Sequence, residues 1–221
     1  MKIALVIFIT LALAGCALLS LHMGVIPVPW RALLTDWQAG REHYYVLMEY
    51  RLPRLLLALF VGAALAVAGV LIQGIVRNPL ASPDILGVNH AASLASVGAL
   101  LLMPSLPVMV LPLLAFAGGM AGLILLKMLA KTHQPMKLAL TGVAACGPIS
   151  FIGLVVPHMM RSITGGRHRR LLPVSALTGA LLLVVADLLA RIIHPPLELP
   201  VGVLTAIIGA PWFVWLLVRM R

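Results

Sequence analysis

The sequence predicts an all-α fold, a polytopic bundle of transmembrane helices, on three observations. Hydrophobic residues fill 62% of the 221 positions and charged residues only 10%, more apolar surface than one soluble core of that size could enclose. The apolar residues come in runs near the ~20 that an α-helix needs to cross a bilayer. The net charge of +10 gathers in short clusters between those runs, as in loops flanking membrane helices. No basic face interleaved with aromatic residues accompanies it, so no nucleic-acid partner is expected.

Seven spans follow, near 3–23, 54–76, 85–103, 108–126, 138–160, 172–193 and 201–218. No linker separates soluble domains, so 1–221 reads as a single integral membrane domain in contact with lipid. The first span follows Lys2. Its "LAGC" at 13–16 resembles a lipoprotein processing site, but the residues after Cys16 stay apolar where a polar tether would begin, which favours a first transmembrane helix. Cys16 and Cys146 lie inside apolar runs without disulfide or metal spacing. No metal site and no cofactor are expected.

The longest polar insert, 24–53, holds Trp30, Trp37 and all three tyrosines, Tyr44, Tyr45 and Tyr50. Rings with a polar edge favour the membrane–water interface, so this loop is expected to lie along the surface. It ends in "RLPR", Arg51 to Arg54.

In the second span Gly62, Ala66, Gly69 and Gln73 recur at i, i+4, i+7 and i+11, on one helix face. Small residues there permit close helix packing, and Gln73 adds a hydrogen-bonding group; the alternative is that the strip lines a pathway. Asn89, Ser93 and Ser96 repeat the spacing on the third span, and a polar stripe inside a bundle is a candidate pathway lining or a packing seam. Between them "RNPLASPDILG" carries two prolines and reads as a rigid, extended turn. "GGMAG" at 118–122 is a small-residue packing signal.

The charges expose a conflict. With Lys2 inside, the Lys127, Lys131 and Lys137 loop also falls inside, as the positive-inside rule asks. If 138–160 is then one crossing, "RSITGGRHRR" at 161–170 falls outside, the wrong side. Either Pro148 and Pro157, with Gly142, Gly147 and Gly153, make 138–160 a re-entrant element buried in protein, or chain is missing there and two half-spans are joined.

Three long segments carry a resemblance that resolves this choice. "RLPRLLLALFVGAALAVAGVLIQGIVRNPLASPDILGVNHAA", "GPISFIGLVVPHMMR" and "ELPVGVLTAIIGAPWFVWLL" resemble, in the same order, the permease subunits of ATP-binding-cassette (ABC) importers for iron–siderophore complexes and vitamin B12. The ferric dicitrate branch is the most similar. The motif residues are Asn78, Pro79, Pro83 and Gly87; Gly147, Pro148, Pro157 and His158; and Pro200, Gly202, Gly209 and Pro211. Family members have about ten spans and half again this length. "KLALTGVA" resembles the start of their fifth span and "ACGPISFIGLVVPH" the end of the seventh and start of the eighth. The resemblance therefore implies a deletion seam at Ala144/Ala145 between N-terminal spans, 1–144, and C-terminal spans, 145–221.

What the resemblance implies about function is specific. The chain would be an inner-membrane permease subunit that pairs with a homologous permease as a heterodimer. It would receive an iron(III) chelate, ferric dicitrate first, from a periplasmic binding protein, and be driven by two cytoplasmic ATPase subunits. Arg51, Arg54 and Arg191 match the arginines that meet the binding protein's carboxylates, chemistry suited to bidentate guanidinium pairing. Interfacial snorkelling remains the plainer reading for Arg51 and Arg54, as does an i, i+4 ion pair of Arg191 with Asp187. No G-x-x-x-x-G-K-[ST] or other catalytic motif is present, so ATP hydrolysis would belong to the separate subunits and this chain is not expected to be an enzyme. The element that couples the ATPases falls within the missing part, which leaves an internally deleted, transport-incompetent membrane remnant as the alternative.

Overall fold

The computed structural model describes residues 2–77, 82, 88–130, 152–193, 204, 205 and 207. Among the described residues every assigned element is helical, and four helical stretches are long and apolar enough to cross a membrane: Ile3–His22, Tyr45–Ile75, Val108–Leu125 and His168–Ile192. The chain forms two compact units, Met1–Val70 with Phe151–Arg221, and Leu71–Ser150.

In the first unit, α1 runs Lys2–His22, about 31 Å at the α-helical rise and so long enough to span. The chain then folds into a cap. Trp30 stacks on the His22 ring with centroids 4.2 Å apart, and a short α2, Ala32–Thr35, presents the Leu33 carbonyl to the Trp37 indole N–H. His43 pairs with Asp36, and Val28 and Leu33 are buried beneath. A π-helical run, Tyr45–Arg51, leads without a break into α3, Leu52–Val76. Tyr44, Tyr45 and Tyr50 therefore lie in a helical extension of α3, not in the surface loop expected from sequence. α3 ends at Arg77, which adopts φ +53°, a left-handed stop usually given to glycine.

Two more helices complete this unit, α6, Ile152–Thr164, and α7, His168–Ile192. The described part of α6 is 13 residues, about 20 Å at the α-helical rise. Residues 138–151, the rest of the expected fifth span, lie outside the described residues. The basic stretch 161–170 is not a ten-residue loop. Helix persists through Thr164 and resumes at His168, because only Gly165 and Gly166 interrupt good helical sequence. Gly165 takes φ +81°, a conformation suited to glycine, and its N–H donates to the Arg161 carbonyl at 3.0 Å.

Helix directions follow from named contacts. Ile3, Val6 and Ile7 of α1 adjoin Arg169, Arg170, Pro173 and Val174 of α7, while Ser20 at the other end of α1 adjoins Arg191. α1 and α7 are thus parallel. α3 runs against both, with Arg54 at Asp187 and Gly62 at Gly179. The small-residue strip is a packing seam: a Cβ on Gly62 would collide with the Gly179 carbonyl, and one on Gly69 with the Gly153 carbonyl. Ala66, Val70, Ile152, Val156, Met160, Leu171 and Val174 form the core around that seam.

The second unit is a helical hairpin of α4, Val88–Leu102, and α5, Leu111–Ala130, entered through a 3-10 turn at Val108–Val110. Gly118 and Gly122 of "GGMAG" lie against Ala91, with Ala95 also against Gly118, so the small-residue signal is again helix packing. The last expected span, 201–218, is described only at 204, 205 and 207.

Candidate functional site

Three arginines 137 and more residues apart in part of their sequence converge at one end of the first unit, where α1 ends, α3 begins and α7 ends. A helix C-terminus leaves its last carbonyls without intrahelical partners. Arg51, turned inward by the π-helical run, supplies donors to them. Its Nη1 donates to the Leu21 carbonyl and, at 3.0 Å, to the His22 carbonyl, and its Nη2 donates to the Ile26 carbonyl. A cation there also complements the helix dipole. The side chain is buried, 2% exposed, and a Cβ on Gly24 would sit 2.7 Å from its Nη2, so the position favours glycine.

Arg191, in the last turn of α7, reaches the same helix end. Its Nη1 donates to the Ser20 carbonyl at 3.2 Å and its Nη2 to the Ser20 hydroxyl. Nη2 also lies 3.1 Å from the Asp187 carboxylate one turn earlier. Asp187 is shared: its other oxygen accepts from Arg54 Nε at 2.6 Å. Arg54 is braced by Tyr50, whose hydroxyl accepts from Nη1 at 3.2 Å and whose ring lies 6.0 Å from the guanidinium carbon. One carboxylate therefore serves two guanidinium groups, while the third, Arg51, is held by carbonyls at and after the end of α1. The side chain of Arg54 is 25% exposed against 4% for Arg191. All three expected docking arginines have internal partners, and Arg54 is the most exposed of them. An apolar pocket of about 480 Å³ opens beside them, walled by Val25, Ile26 and Val46 and bounded by Tyr45, Tyr50, Arg51 and Arg191.

The pathway candidates are differently disposed. Gln73, on the second half of α3, is 1% exposed. On α4, Asn89 and Ser93 are exposed and Ser96 half-buried, the Ser96 hydroxyl donating to the Ala92 carbonyl at 3.0 Å. Pro157 is buried inside α6 and His158 follows it, half-buried. Asn78, Pro79, Pro83, Gly87, Gly147, Pro148, Pro200, Gly202, Gly209 and Pro211 lie outside the described residues. Among the described residues no group of three or more His, Cys, Asp or Glu side chains could hold a metal ion. Sequence reasoning missed Ser20, Tyr50 and the bond from Arg54 to Asp187; only the i, i+4 spacing of Asp187 and Arg191 hinted at this cluster.

Comparison with known proteins bears on both ends of the chain. The family described as the FecCD transport family matches residues 10–146 and 138–219, the two matches meeting at 138–146. The Fe(3+) dicitrate transport system permease protein FecD of Escherichia coli (strain K12) is 69% identical, with all of both chains covered. That alignment runs over 318 positions, 97 more than the 221 residues of this chain. The Fe(3+)-citrate import system permease protein YfmE of Bacillus subtilis (strain 168) is 31% identical over 96% of this chain and 94% of its own length. A solved metal-chelate type ABC transporter in an inward-facing conformation shares the fold, with a TM-score of 0.64 and 24% identity over 99% of this chain and 100% of that one.

Proposed function

The chain belongs to the FecCD transport family, and from that premise we propose that it is the permease subunit of an ABC importer for iron(III) chelates, with ferric dicitrate as the substrate. The observation that carries this reading is the resemblance to the E. coli Fe(3+) dicitrate permease, which covers the whole of both chains. The Bacillus permease adds a second, more distant relative, named for Fe(3+)-citrate import. The matches extend on both sides of residues 138–146, which favours a working permease over an inert remnant.

The subunit contributes passage, not chemistry. ATP binding and hydrolysis fall to two ATPase subunits at the inner face, a homologous permease supplies the other half of the pathway, and a periplasmic protein delivers the chelate. The seam at Ala144/Ala145 is supported by the overlap of the two family matches and by the 97 alignment positions without a residue here. Gln73, Asn89, Ser93 and Ser96 line the route for a large polar complex, which demands hydrogen-bonding groups without fixed charge.

Docking fits the arginine cluster in a defined way. Arg54 offers its guanidinium to a carboxylate of the binding protein, while Arg51 and Arg191 hold α1 and α7 so that Arg54 is correctly placed. The parallel course of α1 and α7 puts the Arg167–Arg170 stretch at the membrane face of Lys2, and the docking cluster at the opposite face. The test is uptake of labelled ferric citrate by cells lacking their own subunit of this type and carrying this chain. Uptake that falls at least tenfold with Arg54→Glu supports the reading. A chain present in the membrane at normal level that gives no uptake contradicts it.

A further inference from the structure

The inner end of the first unit carries a groove that the transport reading leaves unused. It has a volume of about 330 Å³ and lies between the first turns of α1 and α7, lined by Ile3, Val6, Ile7, Pro173 and Val174, with Thr164, Arg169 and Arg170 at its rim. That volume is at the low end of the roughly 300–1,000 Å³ of small-ligand sites. Its walls are aliphatic, and Ile3 and Ile7 are exposed, as side chains that face acyl chains are. Arg169 and Arg170 are also exposed, in the first turn of a helix where their own carbonyls and N–H groups offer them no acid. Among the described residues neither has an acidic partner, since the ion pairs of this unit engage Arg54, Arg191 and His43.

The depth matches a lipid. Arg169 precedes Val174 by five residues, about 7.5 Å along the helix, so the guanidinium groups sit at headgroup level when the aliphatic wall sits among the first methylenes. The flanking Arg167 and His168 add to a local field for which no ion pair with a carboxylate is seen among the described residues. Basic pockets between transmembrane helices at the cytoplasmic face take anionic headgroups, whereas an apolar cleft alone would take any acyl chain. We propose that this groove is a binding site for one anionic phospholipid, its phosphate held by Arg169 and Arg170 and one acyl chain laid against Ile3, Val6, Ile7 and Val174. The charge of the rim, opposite to that of the headgroup, selects this occupant over a neutral lipid.

The test uses the full chain, purified in an uncharged detergent and titrated with phosphatidylglycerol or with phosphatidylcholine of the same acyl chains, with retained lipid counted by native mass spectrometry. The wild type retains phosphatidylglycerol in preference. Each arginine near an anionic surface contributes roughly fivefold, so Arg169→Gln with Arg170→Gln weakens phosphatidylglycerol retention about thirtyfold and leaves phosphatidylcholine unchanged. Ile7→Trp, which fills the groove without altering charge, weakens retention through the apolar wall and keeps the test valid if the double variant does not fold. Arg31→Gln with Arg41→Gln, at the opposite face, has no effect. Equal retention of both lipids overturns the proposal, as does an equal loss in the opposite-face variant. Loss of ATPase-subunit capture by the Arg169/Arg170 variant with phosphatidylglycerol retention intact assigns the rim to a protein partner and overturns it too.

Discussion

Asp187→Asn is the most informative single change, because one carboxylate balances two guanidinium groups at the junction of three helices. Breaking a buried ion pair by removing one partner costs about 3–5 kcal/mol, since a charge is left without its counter-charge. Two features lower the figure here. Arg191 retains the Ser20 carbonyl and hydroxyl as acceptors, and the Arg54 side chain, 25% exposed, regains water and has its contribution screened. The expected loss is therefore near the lower limit, about 3 kcal/mol. The assay is equilibrium unfolding of the purified chain in mixed micelles of increasing SDS fraction, with Arg191→Met and the double variant completing a cycle. Replacing both charges removes the buried orphan at Arg191 and leaves only the partly exposed Arg54 without its carboxylate, so the double variant should be less damaged than the sum by about 2 kcal/mol. Additivity within about 0.5 kcal/mol, or an Asp187→Asn chain as stable as the wild type, would refute the claim that these side chains act as one cluster.

Three further outcomes follow from the packing. Gly69→Ala places a methyl group against the Gly153 carbonyl and Pro157 and should destabilise by about 1–3 kcal/mol through overpacking, read in the same micelle titration. Gly98→Ala, with nothing within 4 Å of the added Cβ, should instead stabilise α4 by up to about 1 kcal/mol. Arg51→Met strips the donors from the Leu21, His22 and Ile26 carbonyls. At about 1–3 kcal/mol for a buried acceptor left unmade, it should speed hydrogen exchange in the last turn of α1 and cleavage of the segment after His22, while α5 exchanges as before.

Much of the fold is legible in the sequence because hydropathy over a membrane-length window is a strong, local signal. The first span appears as Lys2–His22 and the sixth as His168–Ile192, both close to the expected bounds. The strip of Gly62, Ala66 and Gly69 likewise declares a packing face, since backbone approach needs small residues wherever the partner comes from. The state of Arg51 is not legible: its acceptors are two carbonyls at the end of α1 and one in the following loop, 25 to 30 residues earlier, and the sequence marks the arginine but not the carbonyls that bury it. The bond from Arg54 to Asp187 spans 133 residues and has no local signature at all. The three arginines were thus marked by motif, while the greater exposure of Arg54 and the burial of Arg51 and Arg191 needed the structure.

The parallel course of α1 and α7 is the claim on which the orientation of the site depends, and the sidedness of Arg167 tests it most directly. With Cys16 and Cys146 replaced and Arg167→Cys introduced, intact cells are treated with a membrane-impermeant maleimide and compared with permeabilised cells. The account predicts protection in intact cells and labelling after permeabilisation, with Arg51, Arg54 and Arg191 at the periplasmic face. Labelling of intact cells would place the Gly165–Arg167 turn outside, reverse α7 relative to α1, and contradict it.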